Sequence, residues 1–66
     1  MTNLEKARTD AGLSQRKLGE LAKVSHSDIC KAERRGLRLY AAQAERVARV
    51  LGWEGSPDGL FEEAAE

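Results

Sequence analysis

Little in this 66-residue chain supports a disulfide-stabilised, metal-binding, membrane-spanning or catalytic protein. It has one cysteine, so no disulfide can form within it and no paired-cysteine zinc site can exist. A lone histidine, His26, beside Cys30 is too small a ligand set for any metal. No apolar run approaches the roughly 18 residues that cross a bilayer, and no hydrophobic leader opens the sequence. No membrane partner is therefore expected, and the expected setting is cytoplasmic. There is no glycine-rich phosphate loop and no nucleophile–base pair at a recognisable spacing, so neither an enzyme nor a cofactor is expected. Isoleucine, valine and threonine are few, whereas alanine, leucine, glutamate and arginine abound, which favours an all-α fold. A chain this short buries only about 60% of its unfolded surface, so one small domain spanning 1–66 must rely on helix packing, helped by dimerisation.

Formal net charge is zero, but the charge is not spread evenly. Residues 1–38 carry nine basic and five acidic side chains, a net of +4, and residues 39–66 carry two basic and six acidic, a net of −4. The first half is thus the half that would face a polyanion.

The most organised stretch runs from Ser14 to Arg34. Ser14 is a good N-cap, and Leu18, Leu21 and Ala22 follow at the spacing of one buried helical stripe. Lys23-Val24 breaks the rhythm. Ser25 offers a second N-cap, with Asp28 three residues on as an acidic capping box. The second helix is expected to bury Ile29, Ala32 and Glu33, leaving His26, Ser27, Cys30, Lys31 and Arg34 on its other face. Such a face of small, polar and basic groups, starting at a helix N-terminus, suits a DNA major groove. Gly19 costs about 1 kcal/mol against alanine inside a helix, which a close helix crossing would explain.

Leu13-Ser14-Gln15, Leu18-Gly19-Glu20-Leu21-Ala22, Val24-Ser25, and Ile29 with Glu33 four residues later together resemble the helix-turn-helix of the phage repressor/Cro-like (Xre-like) family. The pattern from Ala41 to Gly52 is similar to that family's next helix. The resemblance covers residues 3 to 52. It implies a compact five-helix phage-repressor-like domain that binds double-stranded DNA in a sequence-specific way. The implied protein is a bacterial or phage-encoded, nucleoid-associated regulator, a repressor in the first instance, acting as a homodimer on a near-palindromic operator. By the same resemblance His26, Ser27 and Lys31 touch bases. Gln15, Arg16, Lys17, Ser25, Arg34, Arg35 and Arg38 are the candidates for backbone phosphates, Gln15 because helix N-termini also attract anions. The alternative for these charges is an ordinary solvated face.

Before this stretch, Thr2 and Glu5 read as a capping box, Leu4, Ala7, Arg8 and Ala11 share one helical face, and Gly12 supplies a left-handed stop. An arginine on an apolar stripe needs a partner. The resemblance implies that Arg8 pairs with Glu33 as a structural ion pair. Cys30 is read as a small groove filler, since a redox switch would need a resolving cysteine that the chain lacks.

Beyond Glu33 the pattern departs from the family, which commonly has glycine where Arg35 stands, with Gly36 following here. Either the helix ends one residue later or Arg35 is left-handed. Leu39, Ala42, Val47, Ala48, Val50 and Leu51 then form an amphipathic helix with Tyr40 at its start and Gly52 as its stop. Ser56 and Pro57 open a last helix, about 57–65, whose apolar face is Leu60, Phe61 and Ala64. That face folds onto the domain, forms a dimer surface with Trp53, or does both. The competing function is an antitoxin-like protein-interaction module whose working surface would be this C-terminal segment and whose partner would be another protein.

Overall fold

The structure, a computed structural model, describes residues 1–64. The described chain is all-helical: α1 (Asn3–Asp10), α2 (Gln15–Ala22), α3 (His26–Arg35), α4 (Ala41–Leu51) and a short 3-10 helix (Pro57–Phe61). Four α-helices thus stand where five were expected, and the fifth is a single 3-10 segment rather than an α-helix over 57–65. Its sequence accounts for this. Gly59 is a poor helix former, and it lies under the Trp53 ring, where a Cβ would come within 3.2 Å of the indole. Ala64 is therefore partly buried from an extended segment rather than a helical face, and Ala65 lies outside the described residues.

Local chemistry sets the helix starts. The Thr2 hydroxyl accepts the Glu5 amide at 3.1 Å, and Ser14 accepts the Lys17 amide at 3.0 Å. Ser25 accepts the Ser27 amide at 3.2 Å, one residue earlier than the Asp28 capping box implied. Tyr40 caps α4 without a hydroxyl of the usual kind; instead the Gln43 side-chain oxygen Oε1 accepts the Tyr40 amide at 3.2 Å. Three helices stop on left-handed residues, α3 at Gly36 (φ 70°), α4 at Gly52 (φ 67°) and α2 at Lys23 (φ 57°). The Arg35 alternative is thereby decided, because Arg35 is the last helical residue and Gly36 takes the turn.

Leu4, Leu18, Ile29, Val47 and Leu60 are fully buried and form the centre of the core, with Ala22, Ala32, Ala44 and Leu39 around them. Helix α2 packs on α3 and α4, while α1 and α4 both pack on the 3-10 helix. The C-terminal segment also returns to the start of the chain. The Asn3 amide donates to the Glu62 carbonyl at 2.8 Å, and the Asn3 side chain donates to the Gly59 carbonyl at 2.9 Å.

Three apolar assignments change. Leu21 is 49% exposed, not part of the α2 stripe. The buried residues of α2 are Leu18, Gly19 and Ala22, and at about 100° per residue the middle of that arc is roughly 105° away from Leu21. Ala42 is likewise exposed, because α4 buries Ala44, Val47 and Ala48 and position 42 lies on the opposite side. Ala11 is exposed as well, since α1 ends at Asp10 and Ala11 only caps it.

Gly19 sits where α2 meets the backbone of the turn into α3. A Cβ there would lie 2.5 Å from the Val24 carbonyl oxygen and 3.3 Å from the His26 nitrogen. Alanine would gain about 1 kcal/mol in helix propensity, but the displaced atoms belong to backbone and cannot swing aside. Gly19→Ala is therefore expected to destabilise the domain by about 1–3 kcal/mol in urea unfolding. A more stable variant would show that the turn has room to yield.

Candidate nucleic-acid interface

The two residues between α2 and the Ser25 cap, Lys23 and Val24, make the whole change of direction. Lys23 takes the left-handed conformation (φ 57°, ψ 45°), and the Val24 amide donates back to the Gly19 carbonyl at 2.9 Å. Helix α3 leaves this turn with Ile29, Ala32 and Glu33 buried. His26, Ser27, Lys31, Arg34 and Arg35 are exposed, and Cys30 is half-buried. Viewed down the axis, His26, Ser27, Cys30, Lys31 and Arg34 fall within an arc of about 140°, so the exposed polar face is continuous from the first helical residue.

Glu33 is what orients that face. Its side chain is 1% exposed and that of Arg8 is 13% exposed. Arg8 Nε donates to Glu33 Oε2 at 2.7 Å, and Arg8 Nη2 donates to Oε1 at 3.2 Å. The remaining guanidinium nitrogen, Nη1, donates to the Leu13 carbonyl at 2.8 Å. Gln15 Nε2 completes the set, donating to Glu33 Oε1 at 3.0 Å. One carboxylate thus ties α1, the loop after it, the first residue of α2 and the body of α3. Among the described residues no buried side-chain polar atom lacks a hydrogen-bond partner.

The Gln15 geometry changes its sequence-derived assignment. Its amide nitrogen points inward to Glu33, so only its backbone and the rest of the α2 N-terminus remain for an anion. Arg16 and Lys17, next along, are exposed. Arg16, Lys23, Ser25 and His26 share an open groove of about 440 Å³ with Gly19, Glu20 and Val24, which brings the start of α2 beside the start of α3. Arg38 is drawn elsewhere. Its Nη1 lies 3.8 Å from Asp58 Oδ1, and its guanidinium lies 5.9 Å over the Phe61 ring. With 61% and 81% exposure for the two side chains, that ion pair is weak.

The C-terminal candidates divide. Leu60 is fully buried and belongs to the core, which removes it from any dimer surface. Trp53 and Phe61 are half-buried, and Trp53 Nε1 is tied to the Ser56 carbonyl at 2.9 Å. The large apolar groups left outside are Leu21, Leu37 and Tyr40, along with Met1; Leu37 and Tyr40 line a second hollow of about 310 Å³ with Asp28, Arg38, Leu39 and Gln43.

Sequence reasoning gave no structural role to Lys23 beyond a break in rhythm and none to Arg46. Lys23 carried a signal, since two residues between a helix end and an N-cap leave room only for a left-handed turn. Arg46 carried none, because its Nε donates to the Ala22 carbonyl at 2.8 Å from 24 residues away. Compared with protein-family models, curated proteins and solved structures, the chain matches none of them.

Removing one partner of the buried pair leaves the other charge uncompensated, at a cost of about 3–5 kcal/mol. A domain of this length has a total stability of only about 3–10 kcal/mol, so Glu33→Ala is expected to lose a large share of it. The double variant Arg8→Met/Glu33→Leu removes both charges and should recover most of the loss. Urea unfolding of the three proteins checks this, and a Glu33→Ala protein within 1 kcal/mol of the parent (roughly the worth of an exposed pair) would mean the pair is not structural.

Proposed function

We propose that this chain is a sequence-specific double-stranded DNA-binding transcription regulator, a repressor that occupies its operator as a homodimer. The observation that carries the reading is the division of α3. One face is pinned into the core by Ile29, Ala32 and the Glu33 network, and the opposite face presents His26, Ser27, Lys31 and Arg34 from the helix's first turn onward. A helix held this way enters a major groove N-terminus first, with short side chains near the base edges and longer basic ones beyond them. Lys31 donates to guanine O6 or N7, and Ser27 donates or accepts. Arg16 and Lys17 at the start of α2, with Ser25, Arg34 and Arg35, supply contacts to phosphate. A single module this small binds one half-site weakly, and two copies would read half-sites about 34 Å apart.

A protein-partner role has its own observation in Leu37 and Tyr40, which are 43% and 81% exposed beside the hollow they line. The C-terminal surface that such a role would have used is diminished by the burial of Leu60. The interaction-module reading therefore moves to the α3–α4 loop and stays the second choice.

Selection of binding sites from random duplex DNA at near-physiological salt tests the primary reading. A near-palindromic enriched site is expected, and binding without sequence preference would pass the role to the interaction module. On the enriched site, Lys31→Ala should relax the preference at one or two positions at a cost of about 1–3 kcal/mol for the preferred base. Arg16→Ala should instead weaken all sequences alike and reduce the salt slope by about 1. An unchanged slope would remove Arg16 from the phosphate contacts.

A further inference from the structure

Among the described residues every positive-φ position but one is a glycine, the exception being Lys23. In this conformation the Cβ of an L-residue crowds the following carbonyl oxygen, so a lysine is held there only if its surroundings compensate. Part of that compensation is local, since the amides of both Lys23 and Val24 return to the Gly19 carbonyl. The rest comes from α4. Arg46, half-buried, directs its guanidinium at the end of α2, with Nε 2.8 Å from the Ala22 carbonyl oxygen and Nη2 3.5 Å from that of Lys23. These are the carbonyls that a helix C-terminus leaves without partners, and they carry its partial negative charge. A cation donating to them makes a charge-assisted bond, stronger than a neutral one.

We infer that Arg46 is a positioning residue for α3: it holds the strained Lys23 turn and thereby sets where His26 and Ser27 stand, without itself contacting DNA. The inference rests on the DNA-binding reading only for its last step. The turn has no slack in which to absorb a change, because α2 and the Val24–His26 backbone meet at Gly19 with no room for a Cβ. A loosened turn must therefore shift the first residues of α3, and these are the residues offered to the bases. The guanidinium also makes α4 a support for the turn, although α4 contributes none of the proposed base contacts.

The test uses the full chain with Arg46→Met, which keeps most of the side-chain length and loses every donor, and Arg46→Lys, which keeps one cation. Amide exchange at Val24, followed by NMR without DNA, should accelerate roughly tenfold in Arg46→Met, the equivalent of one charge-assisted hydrogen bond. The lysine variant should fall between the two, and it carries the comparison if the methionine variant does not fold. Lys23→Gly removes the strain, so in that background the same Arg46 change should have a much smaller effect. Unchanged Val24 exchange, or an equal effect in both backgrounds, overturns the role of Arg46 in the turn. With DNA, Arg46→Met should lower the preference for the selected site over random duplex about tenfold while leaving the salt slope as it was. A slope reduced by about 1 would instead make Arg46 a phosphate contact and overturn the positioning role. If the parent protein selects no site, the DNA-binding reading fails, and the exchange measurements still decide whether Arg46 holds the turn.

Discussion

The carboxylate of Glu33 is the constraint on which the rest of this small structure depends. Placed at 1% exposure, an ionised group would be prohibitively costly without compensation, and three donors supply it: Arg8 Nε, Arg8 Nη2 and Gln15 Nε2. Such an arrangement is not an efficient source of stability, because desolvation offsets most of the attraction. Its effect is geometric. Leucines can slide past one another at little cost, whereas a bidentate pair with a third donor accepts a single relative placement of α1, α2 and α3. A domain whose core centres on five fully buried side chains has few other means of defining that placement.

Seen from α3, the constraints lie at both ends. Toward its C-terminal end, Glu33 fixes the rotation of the helix. At its N-terminal end, the Lys23 turn, Gly19 and Arg46 fix where it begins. A helix held at both ends loses little freedom when its exposed face meets a partner, so more of each contact's energy reaches the affinity. The arrangement also explains why a glycine inside α2 and a left-handed lysine after it coexist in a sequence that otherwise obeys helix propensities. Both are local costs that allow α3 to leave α2 sharply and closely.

What could be read from the sequence was what is decided within a few residues. The serine caps at 14, 25 and 56 and the stops at Gly12, Gly36 and Gly52 each depend on one side chain and its own backbone. Arg8 was legible for a different reason, since a charge on an apolar stripe demands a partner. The misplacements share a cause as well. Leu21 and Ala42 fit the spacing of a buried face, but which side of a helix is buried depends on its neighbours, and the Gly19 contact rotates the buried arc of α2 away from Leu21. The last helix was overextended because apolar spacing at Leu60, Phe61 and Ala64 does not register that Trp53 packs over Gly59 and that the chain must turn back to reach Met1 and Asn3. The inward direction of Gln15 and the reach of Arg46 to Ala22 are tertiary facts, with no trace in local pattern.

Taken alone, zero net charge argues against a polyanionic partner, but local charge outweighs the total at the dimensions of this molecule. Its extents are 28 × 23 × 22 Å, and charges in physiological salt are screened over about 8 Å. A polyanion against α3 would therefore respond mainly to Lys31, Arg34, Arg35 and the neighbouring Arg16 and Lys17, with Glu20 and Asp28 the acidic groups on the same two helices. Among the described residues, the acidic side chains of the second half lie on α4, the loop after it, the 3-10 helix and the segment that follows; Glu54, Glu62 and Glu63 are all exposed. The two signs meet at Arg38 and Asp58, where the long, exposed pair marks a boundary rather than a bond of consequence. If the proposed DNA-binding role holds, opposite charge on the remaining surface would orient the molecule in the field of the polyanion, and the attraction would fall off steeply as salt is raised.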